Sequence, residues 1–261
     1  MQYFIVDAFT SEPFKGNPAS VVILEHGLSD ERMQAIAAEF NLAETAFLQK
    51  IQPNNWHLRW FTPTVEMALC GHATLASAYV LWKELDAAQS TLRFETLSGE
   101  LTANLNDGLI ELNFPAIAYR NSNLDPTLLD TLKLDPVAIV ETDNDLFVEL
   151  ADESLVRHYQ PDFSVISQLS QRSLTITAQA DDKNIDFVSR MFGPKIGIPE
   201  DSVTGVIHCT LVSYWGEKLG KQSLLAYQAS QRGGYLKLSL QGDRVILGGK
   251  AIRTMTGAIT I

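Results

Sequence analysis

The chain has 261 residues, 46% hydrophobic and 20% charged, with a mean hydropathy of +0.01, the balance of a soluble globular protein long enough for two cores. A formal net charge of −11 and a pI near 4.9 leave no clustered basic face for nucleic acid. Its two cysteines, Cys70 and Cys209, each sit in an apolar run, which fits buried packing thiols of a reducing compartment better than a disulfide framework or a zinc site.

The N-terminus, Met1-Gln-Tyr-Phe-Ile-Val-Asp7, reads as a strand without a basic leader, and no apolar run reaches membrane-spanning length. A cytoplasmic protein with no membrane partner is expected. Residues 3–9 alternate as a strand, Gly16-Asn17-Pro18 is a turn, and Ala19–Leu24 is a second strand. Ser29 caps a helix running to Phe40, with apolar residues at Met33, Ile36, Ala37 and Phe40 facing a sheet.

Glu44–Lys50 and Trp56–Phe61 read as strands. The helix that starts near Gly71 has almost no polar face from Ala73 to Leu81, so it is expected to be buried on all sides and wrapped by sheet. Strands at Thr91–Phe94, Glu100–Asn104 and Leu109–Asn113 follow, the last two joined by the turn Asn106-Asp107-Gly108. Pro115 to Pro136, mixing Asn, Asp and Pro, reads as a linker.

The plan then repeats. Strands fall at Leu146–Leu150, Leu174–Ala178 and Phe187–Phe192, a helix at Phe163–Leu169, and a second buried helix at Val206–Trp215. A closing hairpin pairs Tyr235–Leu240 with Arg244–Leu247. Arg59-Trp-Phe-Thr-Pro63 before Gly71 is answered by Arg190-Met-Phe-Gly-Pro194 before Gly205, and the two helix glycines stand 134 residues apart. Gly99 and Gly234, which open corresponding strands, stand 135 apart.

This is a tandem duplication. The expected architecture is α+β, with two homologous domains, 1–115 and 116–261, each a curled, mostly antiparallel sheet around a central buried helix. The last strand, 251–261, is expected to return to the first domain.

Two buried helices that each begin at a loop glycine present unpaired N–H groups and the positive ends of two dipoles, a device that holds a carboxylate and stabilises an enolate-like anion. Glu44 enters its strand among apolar neighbours, where a desolvated carboxylate is suited to taking and returning a proton. The alternative for Glu44 is a solvated strand end. His72 follows the first glycine and is expected on the loop side of the helix, in a site or satisfying a local carbonyl. His208, inside the second helix, reads as a hydrogen-bonded core residue. Asp201, four residues before Gly205, reads either as a group that orients a partner or as an exposed turn aspartate. A two-thiol racemase needs a cysteine at the position matching Cys70, which is Thr204.

Asp7-Ala-Phe-Thr with Gly16-Asn-Pro-Ala, Glu44-Thr-Ala-Phe, Cys70-Gly-His-Ala-Thr and Glu200-Asp-Ser-Val-Thr-Gly205 together resemble the PhzF-like isomerases, the family named for phenazine biosynthesis. The resemblance spans nearly the whole chain and implies a diaminopimelate epimerase-like fold with an active site between two like domains. It further implies Glu44 as general acid/base, His72 and Asp201 as catalytic partners that bind and orient substrate, and substrate held by Asn17 and by the segments Gly71–His72 and Thr204–Gly205–Val206. It implies no cofactor and no metal, a small carboxylic acid as substrate, and is compatible with a homodimer.

One departure stands out. The family's second motif usually runs Glu-Asp-Pro-x-Thr-Gly-Ser-Ala, whereas this chain has Ser202, Val206 and Ile207. The hydroxyl after the second glycine is lost while the backbone N–H stays. The expected activity is cofactor-independent proton transfer at carbon. The alternatives are a small-acid-binding module without turnover and a two-base amino-acid epimerase.

Overall fold

The computed structural model describes residues 1–261. The strands of the first half are β1 (Gln2–Ala8), β2 (Asn17–Leu24), β3 (Glu44–Gln52), β4 (Asn55–Phe61), β5 (Glu66–Met67), β6 (Thr91–Thr96), β7 (Gly99–Asn106) and β8 (Leu109–Pro115). Helix α1 (Asp30–Phe40) lies between β2 and β3, and α2 (Gly71–Lys83) between β5 and β6.

The second half holds β9 (Arg120–Asn121), α3 (Pro126–Leu132), β10 (Ala138–Glu141), β11 (Asp145–Glu149), α4 (Glu153–His158), α5 (Phe163–Ile166), β12 (Ser173–Gln179), β13 (Phe187–Gly193) and β14 (Ile198–Asp201). Then come α6 (Gly205–Leu219), β15 (Ser223–Gln228), β16 (Gly234–Gln241), β17 (Arg244–Gly249) and β18 (Ala251–Ala258). Residues 1–114 with 246–261 form one unit and 115–245 the other. The division falls at 114/115, and the segment that groups with the first unit is 246–261, five residues longer than the expected 251–261.

The duplication read from the glycines is written into the strand pairing. In the first unit β1 and β2 pair antiparallel, β2 and β3 parallel, β3 and β4 antiparallel, β4 and β6 parallel, and β6 and β7 antiparallel. In the second, β10 and β11 pair antiparallel, β11 and β12 parallel, β12 and β13 antiparallel, β13 and β15 parallel, and β15 and β16 antiparallel. The outer partner of the first strand is also matched, since β18 runs antiparallel to β1 and β9 antiparallel to β10. Each parallel pair is bridged by helix, as a parallel connection requires: α1 between β2 and β3, α2 between β4 and β6, α4 with α5 between β11 and β12, and α6 between β13 and β15.

The two faces of each sheet are covered differently. Val22, Leu24, Phe47 and Phe61 of β2, β3 and β4 meet Met33, Ile36 and Ala37 of α1 in one apolar cluster. Full burial of such side chains contributes about 1.5–3 kcal/mol each. The other face receives α2, which lies against β1, β2, β3 and β18 and is buried from His72 to Trp82 save for Tyr79. Its hydroxyls turn inward on the helix itself: Thr74 Oγ1 donates to Cys70 O at 2.5 Å and Ser77 Oγ to Ala73 O at 2.7 Å, so no polar face is needed. In the second unit α6 lies against β15 and β16. The architecture is α+β, each sheet built mainly from antiparallel pairs. No helix is long and apolar enough to cross a membrane.

The expected linker at 115–136 is instead part of the second unit. Leu132 and Leu134 are buried with Leu146, Val148 and Leu174, and Leu124, Leu128 and Leu129 pack against the same core. Asp125 accepts a hydrogen bond from the Thr127 amide, and Pro126 occupies the first helical turn of α3. The polar and proline content that reads as linker is therefore the N-cap chemistry of a short helix.

Candidate active site

In the first unit the chain brings Glu44, Cys70 and His72 together. Glu44 is the first residue of β3, opposite Ala19 of β2, and is buried at 7% exposure. His72 is the second residue of α2 and is buried, at 5%. The reason is that both ring nitrogens meet polar neighbours. Nε2 lies 3.1 Å from Glu44 Oε2, and Nδ1 lies 3.6 Å from Cys70 Sγ. The Glu44–His72 approach is off the line of a hydrogen bond, and both Glu44 Oε2 and His72 Nε2 are buried without a hydrogen-bond partner.

Burial is the largest influence on His72 and opposes its charge, but Cys70 and Glu44 together outweigh it and hold the ring well above the ordinary histidine range. Burial also pushes the Cys70 thiol up, and the charge of Glu44 adds to that. The thiol therefore stays protonated near neutral pH. Glu44, Cys70 and His72 have donor atoms within 4.8 Å of one another, the residue types of a zinc site.

Asn17 and Gly71 border this group in sequence and fold. Gly16 has φ 65°, and a Cβ there would stand 2.1 Å from Ala8 O, so only glycine fits. That turn delivers Asn17, buried at 1% exposure, to the start of β2 opposite Ala8. The buried Asp7 fixes the loop from below, with Oδ2 accepting the Phe14 amide at 2.7 Å. Gly71 opens α2, whose N-cap, Cys70, makes no capping hydrogen bond from its side chain. The first amides of the helix are thus left to other acceptors.

The second unit carries a different polar cluster at the matching helix end. Asp201 is not in an exposed turn but ends β14, buried at 8%, and accepts from Thr204 Oγ1 at 2.5 Å on Oδ2. Because that hydroxyl is taken, Thr204 gives α6 no side-chain cap although it occupies the N-cap position. The Thr204 amide is also engaged, donating to Gln228 Oε1 at 2.8 Å, while Gln228 Nε2 donates to Asp201 O at 2.9 Å. Gly205 and Val206 form the uncapped first turn. Val206 is half-buried and supplies an amide but no hydroxyl.

His208 is the core histidine expected. Nδ1 donates to Thr204 O at 2.7 Å, and Nε2 pairs with Ser189 Oγ at 3.3 Å. Burial drives its pKa down to about 4 against that hydrogen bond, so it is neutral. Cys209 is buried and pushed up to about 12 by burial, the state of a packing thiol.

Sequence reasoning missed two contributors. Gln228, fully buried, ties Asp201 to Thr204, and its strand β15 was not among the expected elements. Its signal is the alternation of Leu224, Ala226 and Gln228, all buried. Cys70 was expected to do no more than pack, yet its sulfur lies on the ring of His72.

Residues 6–257 match the family model described as phenazine biosynthesis-like protein. The chain is 44% identical over 261 residues to an uncharacterized isomerase of Halalkalibacterium halodurans, covering 99% of this chain and 98% of the relative. It is 42% identical to a PhzF-family protein from Enterococcus faecalis of known crystal structure, with a TM-score of 0.95 over 100% of this chain and 99% of the other. A structure described as a probable proline racemase from Agrobacterium radiobacter K84, 10% identical and covering 100% of this chain and 93% of its own, shares the fold at a TM-score of 0.60. That likeness carries the diaminopimelate epimerase-like architecture. By the span of the family match and the identity to full-length relatives, this chain belongs to the PhzC-PhzF family of phenazine biosynthesis-like proteins.

Proposed function

We propose that the protein is an isomerase that moves a proton at carbon on a small carboxylic acid, with Glu44 as the acid/base and without a cofactor. Its relatives' names support the isomerase class. The single observation that carries the reaction is the approach of Glu44 Oε2 to His72 Nε2 at 3.1 Å, with both atoms buried and neither hydrogen-bonded. An unsatisfied buried carboxylate is poised to take a proton, and an imidazole beside it holds the oxygen on which negative charge develops.

The substrate's carboxylate is assigned to uncapped helix amides, where N–H groups and the dipole favour an anion. In the first unit these are the amides of Gly71 and His72, with Asn17 beside them as a substrate-binding side chain. Asp201, held by Thr204, is assigned to a polar group of the substrate, together with the amides of Gly205 and Val206. Thr204 itself acts through Asp201, because its amide and hydroxyl are already engaged. The free thiols Cys70 and Cys209 favour a reducing, cytoplasmic setting.

Val206 supports one rival reading, a binding module that keeps the acid site and lacks turnover. The test is incubation of the protein in D₂O with carboxylic acids found by thermal shift. Deuterium at the carbon next to the carboxylate or enol system supports the isomerase. Binding without exchange for every acid that binds supports the module.

A further inference from the structure

We propose that Cys70 is a positioning residue for His72, its thiol holding Nδ1 so that Nε2 is always the proton-bearing nitrogen turned toward Glu44. This rests on the acid/base reading of Glu44 and His72 given above for its catalytic consequence, and on geometry alone for the orientation of the ring.

The argument starts from the backbone. Cys70 is the N-cap of α2, extended at φ −145° and ψ 120°, and its carbonyl is fixed by the Thr74 hydroxyl at 2.5 Å. An N-cap Ser, Thr, Asp or Asn would turn its side chain onto the helix amides. The Cys70 thiol makes no capping hydrogen bond of full geometry, and the nearby Ala73 amide is the smallest of the influences on it. The sulfur is instead free to reach across Gly71 to His72 Nδ1 at 3.6 Å. One substitution class thus leaves two things open at once, the helix amides and the ring contact.

A thiol also serves both charge states of the ring. With neutral imidazole the S–H donates to Nδ1 and the ring proton resides on Nε2; with imidazolium Nδ1–H donates to sulfur and Nε2 still bears a proton. Either way Nε2 bears a proton, and it is the nitrogen 3.1 Å from Glu44 Oε2. Without the thiol, the neutral ring is free to carry its proton on Nδ1 and present a lone pair to the carboxylate, a repulsive arrangement that stalls proton transfer.

No other charged group competes for the ring. Of the elements packed on α2, β3 brings Glu44; β1 brings Asp7, which accepts the Phe14 amide; and β18 brings Arg253, which pairs with Glu84 at the far end of the helix.

The experiment is ¹⁵N NMR of the histidine rings in the full-length protein, wild type against Cys70→Val, which keeps apolar bulk without a donor, and Cys70→Ala. The His72 signals are identified by their loss in His72→Gln. The expected result is a displaced His72 Nδ1 resonance in both variants, with the His208 resonances unmoved. With a turned-over acid, the exchange kcat should fall about three- to tenfold in both, with KM within twofold of wild type. His72 Nδ1 resonances that match wild type in both variants would overturn the proposal. If Glu44→Gln abolishes exchange while both Cys70 variants exchange normally, the positioning role fails and the acid/base reading stands. If no acid exchanges in wild type, that reading fails and the ring resonances still decide the role of Cys70.

Discussion

Glu44 Oε2 stands 3.1 Å from His72 Nε2 where neither atom has a hydrogen bond, so the stability of the fold is coupled to the charge of this ring. The folded-state pKa of His72 is raised, with Cys70 and Glu44 together overcoming burial. A raised histidine contributes stability that is fully present below its unfolded value near 6.5 and is lost as pH rises through the folded value. The gap in urea unfolding free energy between wild type and His72→Gln should therefore narrow between pH 6 and pH 9. A gap that widens with pH contradicts this assignment.

His208 has the opposite sign. Its pKa is pushed down by burial, from 6.5 to about 4, so the unfolded chain takes up a proton that the folded one refuses. Stability should fall as pH drops through this window, by about 3 kcal/mol at most, at 1.36 kcal/mol per unit. His208→Asn, which keeps a donor for Thr204 O, should remove most of that dependence. The check is chemical denaturation at pH 7 and pH 5, and equal pH slopes in the two proteins would refute it.

Arg59 and Arg190 are the same device used twice. Arg59 grips Glu66 through Nε and Nη2 at 2.6 and 2.7 Å, and Arg190 grips Glu200 at 2.7 and 3.0 Å. Each guanidinium lies over the phenylalanine two residues on, Phe61 at 5.1 Å and Phe192 at 5.0 Å. Arg190 also donates to the carbonyls of Val156 and Tyr159 through Nη1. Arg190→Met should cost about 3–5 kcal/mol, because it strands a half-buried carboxylate together with the buried carbonyls of Val156 and Tyr159, and Arg59→Met about 1–3 kcal/mol. Thermal and urea unfolding of the two variants give the order, and an Arg59 variant less stable than the Arg190 variant would contradict it.

These pairs also mark where sequence reading stops. The repeat itself was legible because Gly71 and Gly205 begin local apolar runs, and local patterns survive in sequence. The Arg59–Glu66 and Arg190–Glu200 pairs were not, since each depends on a short return strand, β5 or β14, packing on β4 or β13. Glu44 was legible as an acid among apolar neighbours, but not its approach to His72, which needs β3 and the start of α2 to meet. The Cys70–His72 contact was hidden for a different reason. Side chains two apart do not face each other on a helix, and they meet here because residue 70 is an N-cap with extended backbone. The loops that shape Asn17 and the polar cluster of Asp201, Thr204 and Gln228 are tertiary products that no periodicity announces.

The central claim is that Glu44 moves the proton, and solvent deuterium incorporation by wild type and Glu44→Gln, on an acid that wild type turns over, tests it most directly. The account predicts a variant that keeps its fold and still binds the acid, with deuterium incorporation at the reacting carbon slowed by about 10²–10⁴-fold, the range of a general acid/base. Incorporation by Glu44→Gln at the wild-type rate would contradict it and move the base to another residue.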